Sequence, residues 1–323
     1  MLRQTTRAAV AAMVLGALVA AAAPAWAAEP VSVITEIRPG QGEVRIKLAN
    51  EPDWRPPQPL LSLRPGDQVR ATGDARIVLV FSGGRGTQVV SASNSPFTVK
   101  APGGGERATG LLGTVTGSLF GKQDKPAYVS AFVPLSTRSL RVPTPTLLSP
   151  RETRLLPGQV RFEWAGSDLA RYRIRLFGPE GRVWEQADLP RLAVPYPAGA
   201  PRLEAGKRYA WELHTERQPV QRAEFEIVPP SDTTRLRSAL ASLEPGALSG
   251  YPPATVTVMR ASFLLQEGLY QDARRELLDG IATNPNEPAL HQLLGHVYDR
   301  IGIRDMAVDA FDEARFLTTP PRP

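Results

Sequence analysis

The side chains most able to do chemistry are three histidines, His214, His291 and His296, and a scatter of carboxylates. A zinc-binding helix places two histidines four apart on one face. His291 and His296 are five apart, about 140° around a helix, and do not converge. His214 takes an outward position in an alternating strand. No G-x-S-x-G, H-E-x-x-H or D-x-D-x-D-G is present. Gly121-Lys122 suggests a phosphate loop, but Gln123 stands where a Ser or Thr is needed and Thr116 where the first glycine belongs. Asp312-Glu313 falls on a helix surface, where solvated charge is usual. With 0 cysteines there is no thiol nucleophile, thiolate metal site, disulfide or lipidated cysteine. The reading is a noncatalytic protein with no cofactor and no bound metal, whose elements serve for binding.

The chain opens with Arg3 and Arg7, an apolar run from Ala8 to Ala23, and Ala25-Trp26-Ala27, the pattern of a secretory signal cleaved after residue 27. This predicts export to the periplasm, with retention of the segment as a membrane anchor as the alternative. Charge is uneven: from Ser231 onward there are 9 Arg against 12 acids, whereas residues 28–230 carry 27 Lys or Arg against 20 acids. Attraction between the two parts, weakened by salt, is one expectation. Nucleic acid is not an expected partner; anionic envelope polymers or lipid headgroups suit a basic surface better.

Residues 28–142 read as short strands with a glycine-rich insertion at 102–128. "EVRIKL" puts Val44, Ile46 and Leu48 on one face, and in "RIVLVF" both faces are apolar, which predicts a strand buried on both sides. Turns are expected at Gly73-Asp74 and Ser82 to Gly86. The insertion reads as a long hairpin or as a loop that contacts a partner through Leu111, Leu112, Leu119 and Phe120. Pro65-Gly66-Asp67, Thr72-Gly73-Asp74, the strand Ile77 to Phe81, Gly83-Gly84 and Thr87 to Val90 follow in the order of an extracytoplasmic FecR-type domain, which this region resembles. The resemblance implies either a structural module or a receiver that signals to a membrane partner.

Residues 143–230 alternate more strictly. Val160, Phe162 and Trp164; Tyr172, Ile174 and Leu176; Tyr209, Trp211 and Leu213; and Ala223, Phe225 and Ile227 take the inward positions of four strands. An antiparallel β-sandwich is expected, and the segment is similar to a fibronectin type III-like domain. The inward parity assigns the aromatics to the core rather than to a sugar platform. Arg161, Arg171, Arg173 and Arg175 face outward opposite Glu163, Glu212, Glu224 and Glu226, which predicts cross-strand ion pairs in place of an anion site.

Residues 231–323 change to a helical period. A Ser231 or Asp232 cap opens one helix that ends before Pro245-Gly246. A 34-residue offset then aligns Ala261 with Gly295, Leu264 with Tyr298, Gly268 with Gly302, Ala273 with Ala307, Leu277 with Phe311 and Gly280 with Ala314. That period resembles tetratricopeptide repeats, here 254–287 and 288–321. The resemblance implies a protein-binding groove lined by Thr255, Val258, Ser262 and Leu265 in the first copy and by Ala289, Gln292, His296 and Asp299 in the second. Two repeats are few, so the end from Phe311 to Leu317 is expected to dock on the chain itself or on a second copy.

The fold class expected is thus multidomain β plus α. The function expected is that of a periplasmic or envelope scaffold or adaptor binding other proteins. A periplasmic sensor module and an envelope glycan-binding protein are the alternatives.

Overall fold

The computed structural model describes residues 29–101 and 144–318, apart from Gln159, Arg191 and Arg217. The signal segment and the glycine-rich insertion lie outside the described residues. Strands and helices are both well represented, a β plus α architecture of three units.

Among the described residues the first unit has seven strands: β1 (Ser32–Arg38), β2 (Val44–Lys47), β3 (Ser62–Leu63), β4 (Gln68–Ala71), β5 (Arg76–Phe81), β6 (Thr87–Ser91) and β7 (Phe97–Thr98). They form two antiparallel sheets, ordered β3-β1-β5-β6 and β2-β4-β7. Ile34, Ile37, Ile46, Val69, Ile77 and Leu79 fill the space between them. Because successive side chains point to opposite faces, Val33 and its register partner Val80 cannot share that core. They join a second core, that of the helices. The doubly apolar "RIVLVF" is buried over Ile77 to Val80, and β1 is buried from Ser32 to Ile37. The expected turns hold, with Gly73 and Gly83 at φ of 61° and 81°.

The second unit comprises β8 (Thr146–Ser149), β9 (Thr153–Leu155), β10 (Arg161–Ala165), β11 (Tyr172–Gly178), β12 (Gly181–Leu189), β13 (Ala193–Pro195), β14 (Arg208–Thr215) and β15 (Gln221–Ile227). A three-stranded sheet, β13-β10-β8, faces a five-stranded sheet, β12-β11-β14-β15-β9, in which β9 joins β15 in parallel. All twelve inward residues of the sequence pattern are buried in one core. Trp211, fully buried, donates its indole N–H to the Pro150 carbonyl at 2.6 Å. On the outer face Arg175 lies between Glu185 and Glu212 in register. Of the expected arginine stripe, Arg173 and Arg175 pair across strands with Glu185, and Arg161 pairs with Glu163 on its own strand; Arg182, on the same strand as Glu185, and Arg222, across from Glu212, add to the network.

The third unit is helical: α1 (Pro230–Ala241), α2 (Pro253–Gln266), α3 (Tyr270–Thr283), α4 (Pro288–Arg300) and α5 (Arg304–Thr318). The start of α1 corrects the expected cap. Pro229 holds the N-cap position with Pro230 next, and neither Ser231 nor Asp232 caps the helix. Proline suits the first turn, where its missing N–H has no partner to lose.

The two hairpins α2–α3 and α4–α5 repeat at 34 residues down to the backbone. Gly268 and Gly302 sit at φ of 73° and 74°. Each closes its first helix in a Schellman motif: Leu269 N–H bonds Leu264 O at 2.9 Å, and Ile303 N–H bonds Tyr298 O at 2.8 Å. The small positions allow close approach. A Cβ on Gly295 would lie 2.6 Å from the Phe311 ring, and one on Gly280 would lie 2.7 Å from Thr257.

Candidate functional site

Helices α2 and α4 lie side by side, each about 20 Å long at 1.5 Å per residue. A helix leaves its first N–H groups and last C=O groups without internal partners, positive at one end and negative at the other. Both ends of both helices are met by residues of opposite character, and most of those residues come from the two β units.

At the N-terminal ends the partner is β1. Glu36, 3 % exposed, accepts the Thr255 N–H at 3.0 Å and the Thr255 hydroxyl at 2.8 Å through Oε1. Thr35 and Thr255 share a hydroxyl hydrogen bond at 3.0 Å. Glu287 is the N-cap of α4, and its Oε1 accepts from Ala289 N–H at 3.4 Å. The same oxygen accepts the Ile37 N–H of β1 at 3.2 Å, tying strand to helix. Val33, Val80 and Leu60 of the first unit complete the contact by joining the helical core.

Two carboxyls are therefore sealed in one interface. Arg38 Nη2 reaches Glu36 Oε2 at 3.1 Å. Glu287, 2 % exposed, has no cation of its own, and its Oε2 lacks a hydrogen-bond partner among the described residues. Burial, and behind it the Glu36 charge, push the Glu287 carboxyl from its usual range up to about 8, against the pull of the Ile37 and Ala289 amides and of Arg38.

At the C-terminal ends the partner is the segment around β9. Arg154 donates to the Glu267 carbonyl, the C-cap of α2, at 3.1 Å, and its backbone N–H bonds Gly268 O at 2.8 Å. Arg151 donates to the Ile301 carbonyl, the C-cap of α4, at 2.6 Å. Glu267 and Ile301 are 34 residues apart, so two arginines three apart hold equivalent points of two repeats. Cations at helix C-termini each contribute about 0.3–1 kcal/mol, more when partly buried. Around them Ser149 donates to Gln271 at 2.6 Å, Arg274 pairs with Glu163 at 2.8 Å, and Arg154 also pairs with Asp232 at 2.7 Å.

This arrangement divides the expected groove. Thr255 and Ala289 are fully buried at the first-unit interface or beside it, and Val258 and Ser262 are at 0 % and 5 % exposure. Those four positions are not open to a partner, a correction to the groove as read from sequence. For Thr255 the reason is direct: the chain's own β1 occupies its place. Leu265, Gln292 and His296 are half-buried and Asp299 is exposed. His296 packs edge-on to Phe311 at 5.0 Å and contacts Gln292 at 3.3 Å; burial lowers its pKa, with Asp299 opposing the effect.

His214 sits 3.1 Å from Glu212, and His291 meets the Pro285 carbonyl at 2.8 Å, so the histidines do not meet at one site. The expected docking of the last helix is divided too. Leu317 and Thr318 line clefts shared with Pro39 of the first unit, while Phe316 stays 74 % exposed.

Sequence reasoning missed Thr35, Glu36, Glu287, Arg151 and Arg154. The signals were "SVITEI", apolar on both parities around a Thr-Glu pair, and two arginines three apart, Arg151 just before β9 and Arg154 within it. No protein-family model matches this chain, and no curated protein matches it.

Proposed function

We propose that the chain is a noncatalytic envelope scaffold or adaptor, with a FecR-like first unit, a fibronectin-like sandwich and a short tetratricopeptide unit, exported to the periplasm. The observation that carries this reading is the clamping of α2 and α4 at both ends. The polar side chains that stand out by burial and by contact, Glu36, Glu287, Arg151, Arg154 and Arg274, are engaged in joining units. A protein built this way presents several surfaces at fixed spacing. Its helices serve first as the joint, and partner contact falls to the second repeat's accessible positions, Gln292, His296 and Asp299, and to the β surfaces.

The test is photocrosslinking in intact cells, with the full-length protein carrying a crosslinker at position 299 or on the outer sandwich face at position 173. A discrete protein partner captured at either position supports the scaffold reading and says which surface is used. Absence of protein adducts at both positions, with sacculus fragments or small molecules attached instead, overturns it.

A further inference from the structure

The contact between the first β unit and the helices contains two carboxyls and one guanidinium where two neutral caps would have sufficed. Glu36 has Arg38; among the described residues Glu287 has the Ile37 and Ala289 amides on Oε1 and no hydrogen-bond partner on Oε2. The groups that face the pair are few. From β1 comes Arg38, with Arg76 of β5 opposite it in register. On α4 the titratable side chain nearest in sequence is His291, which is held on the Pro285 carbonyl. The start of α2 brings Thr255, and the loop before α4 brings Asn284 and Asn286, none of them charged. A cleft of about 400 Å³ lined by Arg38, Asn284, Asn286, Glu287 and Leu317 opens on the Glu287 side of the contact.

We propose that Glu36 and Glu287 form a proton-operated latch: docking of the first β unit on α2 and α4 takes up one proton, so the docked state tightens in acid and loosens as the medium becomes alkaline. Two like charges brought into one dry interface favour retention of a proton by one of them. Ile37 and Thr255, whose amides bond the two carboxylates directly, report the docked state.

The sign follows from linkage. Undocked, Glu287 ionises in the ordinary carboxyl range near 4.5; docked, it does so near 8. Between those values the docked state holds one more proton than the open state. The docking equilibrium therefore falls about tenfold per pH unit across that window and is level on either side. The junction with the sandwich, where Arg151 and Arg154 donate to carbonyls and Arg154 and Arg274 pair with Asp232 and Glu163, brings no two carboxyls together in this way and serves as the reference.

The test is amide hydrogen exchange on the full chain from pH 5 to 8, corrected for intrinsic exchange and read at Ile37, Thr255 and Arg154. Protection at Ile37 and Thr255 is expected to fall about tenfold per unit while Arg154 stays constant. Glu287→Gln, a neutral isostere, should hold Ile37 and Thr255 at a pH-independent level. Glu36→Gln, which keeps an acceptor for Thr255 but removes the charge that, behind burial, pushes Glu287 up, should make the fall in protection end at a lower pH, and serves if the first variant does not fold. A pH-independent wild type, or a pH profile unchanged from wild type in a folded variant, overturns the latch.

Discussion

The two ends of the repeat helices are held by different chemistry. At the N-terminal ends buried carboxyls accept from backbone amides; at the C-terminal ends half-exposed arginines donate to carbonyls. Both choices follow the helix dipole. They differ in what they cost to bury. A guanidinium stays charged at any pH of interest and keeps one edge in water. A buried carboxyl without a cation gives up its charge instead, and the contact it makes then depends on pH. One molecule thus joins its units by one contact fixed in strength and one that can be graded.

The comparison is broken most strongly by removing the arginines. Arg151→Ala with Arg154→Ala should cost about 2–4 kcal/mol, from charge-assisted hydrogen bonds worth roughly 1.5–3 kcal/mol each, discounted for partial exposure. Denaturant unfolding followed by tryptophan emission would measure it, and the loss should be the same at pH 5.5 and pH 8.

Gly268→Ala is expected to cost about 1–2 kcal/mol, because the left-handed backbone penalises a side chain. The new Cβ would also stand 3.4 Å from the Arg154 side chain. Gly302→Ala should carry the backbone penalty with a looser neighbour, Arg151 at 3.6 Å. A smaller loss for Gly302 than for Gly268 in parallel melts would sharpen the view that the turn is part of the joint.

Glu36→Ala removes the acceptor at the start of α2, worth about 1 kcal/mol by analogy with helix caps. It also removes the charge beside Glu287. Its penalty should therefore be larger at pH 5.5, where the wild type is tightest, and should shrink toward pH 8, as read by exchange at Thr255. Arg235→Ala, which breaks a bidentate pair with Glu267 on an arginine 53 % exposed, should change stability by less than about 1 kcal/mol. That would set the scale for an ion pair outside the joint.

Much of the β architecture was legible. The alternation in "VRFEW" and "YAWEL" placed Phe162, Trp164, Tyr209 and Trp211 in the core, because a half-buried sheet writes its inner face at every second residue. Strand β12 went unread: Val183 and Trp184 are adjacent, and bulges in its pairing with β11 break the period.

The repeat register was legible for the same kind of reason, since Gly295 and Gly280 are forced by close contacts. The occupancy of the groove was not. A helix face packed by the same chain and one packed by another chain have the same composition, and only the contact of Thr35 and Glu36 with Thr255, some 220 residues away, distinguishes them.

The charge asymmetry also misled. The contacts across the sandwich junction pair Arg154 with Asp232 but Glu163 with Arg274, in opposite senses, and the β1 junction brings two acids together. Salt should accordingly have little effect on docking.

The account's central claim is that β1 of the same chain fills the start of the helical groove in the docked state. Because the chain has 0 cysteines, Thr35→Cys with Thr255→Cys introduces a single reporter pair at hydroxyls now 3.0 Å apart. The two Oγ1 atoms mark where the sulfurs would stand, and a bond near 2.0 Å asks them to close by about an ångström. Mild oxidation of the full-length double variant, analysed by mass and by non-reducing electrophoresis, should give a monomer with an internal disulfide in nearly quantitative yield. Thiols that stay free, or that link only between molecules, would contradict the account.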